Sequence, residues 1–166
     1  VQGSPCRECN AERHRRHGGS RAARGILRSV ALRRSPPATG PMHHPDISLV
    51  VPVRDEAGNI GPLAAEIRDR LDAAGLSWEL LFVDDGSRDG SWEEISAAAT
   101  ADGRVQGIRH DHGRGKSAAL MTGFARCRGE AVAMLDGDGQ DDPAEIPRMV
   151  RLLSPGSGGV ALVNGW

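Results

Sequence analysis

The chain has 166 residues, of which 39% are hydrophobic, 26% charged and only 3% aromatic, a size that suits one domain. Residues 1–44 carry nine Arg, no Lys and two Glu, a net charge of +7, whereas residues 45–166 carry 12 basic and 20 acidic residues, a net −8. An acidic body lacks the basic face that nucleic acid requires, apolar runs such as Ala131–Leu135 fall far short of the ~20 residues of a membrane span, and the composition is neither collagen-like, coiled-coil nor disulfide-rich. What remains is a soluble α/β domain behind an unusual leader.

Val1 to His44 is rich in Arg, Gly, Ser and Pro, and offers too little apolar area to offset chain entropy, so it is expected to be disordered. Cys6, Cys9, His14 and His17 spell C-x-x-C-x4-H-x-x-H, but the gap between the pairs is much shorter than in a zinc finger and no core-forming residues follow. Arg21–Arg34 is acid-free, Arg-rich and partly apolar, in the manner of an organelle transit peptide. The preferred reading is plainer. Val1 is not Met, Met42 is the only Met before position 121, and Arg without Lys is typical of translated GC-rich sequence, so the leader is expected to reflect a start site placed too far upstream.

From Pro45 the pattern changes. Ile47–Val53 is almost continuously apolar, as a parallel strand buried on both faces should be. Ile60, Leu63, Ala64, Ile67 and Leu71 recur at helical spacing, predicting an amphipathic helix from Ile60 to Ala74. Leu80–Val83 is the second strand. Ser91 with Glu94 has the form of a capping box opening a helix to about Ala101. Val105–His110 is a weaker strand, Ser117–Cys127 a helix, and Ala131–Leu135 a fourth strand. Asp142, Pro143 and Glu145 suit the N-cap, N1 and N3 positions of a helix to Leu153, and Val160–Val163 reads as a fifth strand.

Strands alternating with helices predict a parallel sheet covered by helices, with ligands bound beyond the carboxyl ends of the strands. The residues at those ends, Pro52–Glu56, Asp84–Gly90, His110–Lys116 and Asp136–Asp142, hold most of the body's unusual polar clusters. Asp136 and Asp138 stand two apart across a glycine with Gln140 beyond, an oxygen donor set suited to Mg²⁺ or Mn²⁺. An EF-hand is excluded, because Asp141 stands where its invariant Gly belongs and Pro147 where its bidentate Glu belongs. Asp84 and Asp85 at a buried strand end cost more than a turn needs, which favours a ligand role for one of them, toward a nucleobase or ribose edge. Gly115-Lys116-Ser117 lacks the first Gly of a Walker A loop, since His110 stands there. Gly113-x-Gly115-x-x-Ala118 matches a dinucleotide fingerprint, with Asp136 about 20 residues on, but follows the third strand instead of the first. Lys116 at a helix start can help hold phosphate.

Together, VVPVRDEAGNI (Val50–Ile60), LLFVDDGSRDGSWE (Leu80–Glu93), GRGKSAAL (Gly113–Leu120) and LDGDGQDDPAEIP (Leu135–Pro147) resemble the N-terminal half of a family 2 glycosyltransferase of the GT-A fold. The similarity is closest to the polyprenyl-phosphate sugar transferases, of the dolichol-phosphate mannose synthase type, and runs from about Ile47 to Trp166. It implies a Rossmann-like nucleotide-sugar-binding domain over residues 45–166, incomplete at its C-terminal end. It implies that Pro52, Arg54, Glu56, Val83, Asp84 and Asp85 bind the nucleotide, with Lys116, Asp136, Gly137 and Asp138 completing the donor site. Asp136, Asp138 and Gln140 would hold the metal, and Asp138 is the first choice for a residue on which the reaction depends. Asp55 departs from the Asn common in the family. Family members continue past Trp166 with Arg-containing segments that contact donor and lipid phosphates, so the chain is expected to be a fragment of an enzyme working at the cytoplasmic face of a membrane.

The implied reaction passes a sugar, with inversion, from a nucleotide diphosphate of the GDP-mannose or UDP-glucose type to a polyprenyl or dolichyl phosphate. Three alternatives remain open at this point: a family 2 enzyme with another acceptor, an NAD(P)-dependent oxidoreductase using Gly113–Ala118, and an inactive remnant.

Overall fold

The computed structural model describes residues 29–33, 44–153 and 162–165. The Cys6/Cys9/His14/His17 pattern and most of the leader lie outside them. Strands are β1 (Ser29–Arg33), β2 (Ile47–Val53), β3 (Trp78–Asp84), β4 (Val105–Arg109), β5 (Ala131–Leu135) and β6 (Leu162–Gly165); helices are α1 (Ile60–Ala73), α2 (Ser91–Ala101), α3 (Lys116–Phe124) and α4 (Ile146–Leu153). One sheet holds them in the order β4-β3-β2-β5-β1-β6. The four strands β4, β3, β2 and β5 are mutually parallel, as the alternation of strand and helix predicts.

Both faces of the sheet are covered at β2, β3 and β5, which is why β2 and β5 read as almost unbroken apolar runs,. Alternate residues of β2 part company: Leu49, Val51 and Val53 join Leu80, Phe82, Ala133 and Leu135 beneath α1, α2 and α4. Val50 packs with Leu81, Val83 and Val132 beneath α3. Helix α1 buries Ile60, Leu63, Ile67 and Leu71, the stripe its spacing predicts. Glu79 is a charged residue inside buried β3, and its carboxylate accepts from the Ser48 hydroxyl, the Arg128 amide and the Arg128 guanidinium. Burial would raise its pKa, but those donors bring it below the usual carboxylate range,.

Three expectations need correction. Five residues of the leader, Ser29–Arg33, form a strand, antiparallel to both β5 and β6 and lying between them, so the sheet is not confined to residues 45–166. Its main chain covers the β5 edge that the parallel strands leave open. The last strand is Leu162–Gly165 instead of Val160–Val163, of which 160–161 lie outside the described residues. The Pro143 segment begins as a 3-10 turn over Pro143–Glu145, with Asp142 accepting from the Ala144 amide, before α4 starts at Ile146.

Helix α3 lies close enough to β2 that a Cβ at Gly123 would stand 2.3 Å from Val50 Cγ1. Helix propensity favours Ala over Gly by about 1 kcal/mol, whereas overpacking against a buried β-branched side chain costs about 1–3 kcal/mol. Gly123→Ala is therefore expected to lower the urea midpoint at unchanged slope. A raised midpoint would show that α3 is free to move outward.

Candidate active site

In the order β4-β3-β2-β5, the chain winds outward from β2 to β3 and β4, then returns to place β5 on the other side of β2. Ligands of such sheets bind where the winding reverses, beyond the carboxyl ends of the two central strands. A cavity of about 320 Å³ opens at that point, walled by Pro52, Val53, Arg54 and Glu56 after β2, Asp85 after β3, Gly115 and Lys116 at α3, and Asp136, Gly137 and Asp138 after β5. Gly137 lets the last loop come near, since a Cβ there would lie 3.2 Å from the Pro52 carbonyl oxygen. Of the residues singled out in the sequence, Val83, Asp84 and Gln140 do not line the cavity. Val83 belongs to the α3-side core. Asp84 is fully buried; its Oδ1 accepts from the Ser87 amide at 2.8 Å, and its Oδ2 stands 3.0 Å from Arg109 Nε as an ion pair without hydrogen-bond alignment.

The loop after β2 is sewn to the loop after β3. The Asp55 amide donates to Ser87 Oγ, the Glu56 amide to Ser91 Oγ, the Ala57 amide to Asp89 Oδ2 and the Gly58 amide to Glu94 Oε1. Asp55 sits at φ 55°, a left-handed conformation that Asp and Asn tolerate best, and its Oδ1 accepts from the Arg88 amide. The expected capping box is thus absent: α2 has no side-chain cap, because Ser91 and Glu94 serve the neighbouring loop instead.

Asp85 holds the opposite wall. Its Oδ1 faces His110 Nδ1 at 2.8 Å and accepts from the Arg114 amide at 2.8 Å; its Oδ2 accepts from the Gly115 amide at 2.7 Å, with the Arg54 guanidinium further off at 3.4 Å. Burial alone would raise its pKa, but the Arg114 amide, His110 and the Gly115 amide outweigh it and hold the value at about 2,. These bonds also undercut the dinucleotide fingerprint. That loop follows β4 at the sheet edge, and two of its amides are already committed to a carboxylate.

Across the cavity, Lys116 Nζ stands 2.5 Å from Asp136 Oδ1. The Asp136 amide donates to Asp141 Oδ2, a buried carboxylate whose pKa is raised, first by burial and then by the charges of Asp136 and Asp138. Asp138 Oδ1 accepts from the Gln140 amide, while the Gln140 side chain is exposed. Among the described residues no group of three or more His, Cys, Asp or Glu side chains is arranged to hold a metal. Asp136 and Asp138 on one wall nevertheless fit a Mg²⁺ or Mn²⁺ ion, which commonly takes one or two carboxylates and completes its shell with substrate phosphates and water. His110 and Asp141 were not picked out in the sequence. The signal was their place directly after β4 and within the loop after β5.

The fold is that of GT-A glycosyltransferases. The chain aligns over 70% of its length with the mannosyltransferase PcManGT from Pyrobaculum calidifontis, solved in complex with GDP-Man and Mn²⁺ (TM-score 0.54, 24% identity, 34% of that chain). Over 70% it also aligns with mannosyl-3-phosphoglycerate synthase from Rubrobacter xylanophilus (TM-score 0.58, 23% identity, 38% of that chain). The chain belongs to glycosyl transferase family 2, whose family model matches residues 48–164. Among its relatives are undecaprenyl-phosphate 4-deoxy-4-formamido-L-arabinose transferases. That of Aeromonas hydrophila is 36% identical over 111 residues, covering 66% of this chain and 34% of the relative. That of Pseudomonas fluorescens is 37% identical over 119 residues, covering 71% and 35%. The chain thus spans about a third of the length of these relatives.

The low pKa of Asp85 has a consequence for stability. A carboxylate whose folded-state pKa is depressed stabilises the fold above its ordinary value of 3.8, and that contribution is lost as pH falls toward about 2,. Asp141, raised, works in the opposite sense, so the informative quantity is the difference between wild type and Asp85→Asn. Wild type is expected to melt about 5 °C higher at neutral pH, the gap closing between pH 4 and pH 2. A gap independent of pH would refute the assignment.

Proposed function

We propose that the chain is the donor-binding portion of a glycosyltransferase that passes a sugar, with inversion, from a nucleotide diphosphate to a polyprenyl phosphate. One observation carries this reading: the cavity at the switch point is bounded by Asp85 on one side and by Asp136, Asp138 and Lys116 on the other. The nucleoside lies against Pro52–Glu56 and Asp85, with a carboxylate acceptor for its hydroxyl or N–H groups. Lys116, at the start of α3, meets the diphosphate. Asp136 and Asp138 would hold a divalent cation, which when bound neutralises the departing diphosphate. Asp138, exposed at the cavity mouth, is the residue on which donor turnover most depends.

The acceptor class is supported by the undecaprenyl-phosphate transferases among the relatives. A phosphate acceptor is already anionic near neutral pH, so this chemistry does not demand a strong general base from the protein. None of the described helices is long and apolar enough to cross a membrane. A lipid acceptor supports action at a membrane surface, on the cytoplasmic side where nucleotide sugars are made.

Titration calorimetry of the chain with UDP-glucose and with GDP-mannose tests the donor site. With Mn²⁺ present, the preferred donor is expected to bind at least about tenfold more tightly than without it, a gain of ~1.4 kcal/mol. Asp138→Ala is expected to abolish that gain. Equal affinity of wild type with and without Mn²⁺ would count against the assignment.

A further inference from the structure

His110 is 7% exposed and has no role in the donor site outlined above. It follows β4 directly, and its own amide donates to the Asp84 carbonyl at 2.8 Å, prolonging the ladder with β3. Its ring is gripped at both ends. Nδ1 faces Asp85 Oδ1 at 2.8 Å, and Nε2 lies 3.0 Å from Thr122 Oγ1. Thr122 belongs to α3; its hydroxyl also lies 2.9 Å from the Ala118 carbonyl oxygen, and its single hydrogen serves either that oxygen or Nε2. An ionised carboxylate can only accept, so Nδ1 carries the hydrogen in this contact.

A buried histidine is more often a packing residue than a functional one. Here lone-pair counting separates the two. Each carboxylate oxygen accepts about two hydrogen bonds. Oδ1 of Asp85 has its two, from His110 and the Arg114 amide. Oδ2 has one short bond, from the Gly115 amide at 2.7 Å, and one long contact, at 3.4 Å, with Arg54, whose side chain is 54% exposed. With Oδ1 saturated, the spare acceptor capacity lies on Oδ2, the oxygen beside Arg54, and Asp85 and Arg54 both line the cavity.

We propose that His110, braced by Thr122, is a positioning residue for nucleotide recognition: it fixes Asp85 so that Oδ2 accepts a hydrogen bond from the nucleoside part of the donor, in place of the weak contact from Arg54. This rests on the nucleotide-sugar reading of the cavity. Without the His110 donor, Oδ1 is half-satisfied and the carboxylate turns, so the acceptor is no longer held for the ligand.

Two conservative replacements discriminate. Asn at position 110 places an amide N–H near the position of Nδ1 and keeps the bond to Asp85. Gln reaches toward Thr122 and loses it. A packing role predicts similar losses for both, whereas the positioning role predicts that only His110→Gln suffers in binding. With UDP and GDP as probes, titration calorimetry of the 166-residue chain is expected to give His110→Asn within about threefold of wild type and His110→Gln weaker by about tenfold or more, the size of a lost charge-assisted hydrogen bond. A second measurement needs no variant: saturating nucleotide is expected to shift the ¹⁵N resonances of the His110 ring, through Asp85. Equal binding by the two variants, or ring resonances unmoved by a nucleotide that binds, overturns the positioning role alone. Failure of wild type to bind either nucleotide takes down the reading of the cavity and this inference with it.

Discussion

The site depends on one buried carboxylate being held by donors on both of its oxygens. Asp85 leaves water at the end of β3, a cost that burial exacts from any ionised group, and the cost is offset by two backbone amides and an imidazole at 2.7–2.8 Å. The exchange is reciprocal. Gly115 occupies the N-cap of α3, which has no side-chain cap, and the first amides of any helix lack partners within it. Asp85 accepts from the amides of Arg114 and Gly115, so a strand end anchors the chain where it enters α3. The depressed pKa and the placing of Lys116 over the cavity follow from the same contact.

A similar exchange shapes the other wall. Ser91 and Glu94 begin α2, yet their side chains accept from Glu56 and Gly58, and Asp89 both accepts from Ala57 and anchors Ser91. Polar side chains at the start of one helix thereby fix the loop after β2, which would otherwise present a row of unpaired amides near the ligand. Local capping is given up for a rigid cavity edge. Rigidity at this edge matters because a binding group must be held within a fraction of an ångström to favour one ligand geometry.

These exchanges explain what could be read from the chain alone. Strands β2 and β5 match their sequence-predicted bounds because a strand buried on both faces must be apolar throughout, and that pattern needs no partner to be seen. The crevice follows once the strands are placed, since a parallel sheet puts all its loops of interest at one end. Capping boxes fail as a guide here because Ser91 and Glu94 look the same in sequence whichever amide they serve. Asp84 and Asp85 were inseparable for a related reason: successive strand residues face opposite ways, so the choice turns on where β3 ends to within one residue. Ser29–Arg33 was illegible because its short apolar run, Val30–Leu32, sits inside an Arg-rich leader and becomes a strand by main-chain pairing at the β5 edge. His110 was passed over as a missing glycine of a phosphate loop, when its chemistry lies in what β3 and α3 bring to its two nitrogens.

The charge of the cavity bears on the metal more directly than any motif. Its walls carry four carboxylates, Glu56, Asp85, Asp136 and Asp138, against two cations, Arg54 and Lys116, and the nearby Asp141 has its pKa raised, first by burial and then by the charges of Asp136 and Asp138. Such a balance weakens the binding of a nucleotide diphosphate in the absence of a cation. Lys116 does not reverse the balance, because it is already paired with Asp136. A divalent cation between Asp136 and Asp138 would change the sign of that wall and release Lys116 toward the phosphates, since a bound ion is often the largest local charge in a site. On the proposed reading, the acids after β5 make sense only together with a cation, and the buried Asp141 that holds the Asp136 amide keeps the first of them in place when the cation is gone.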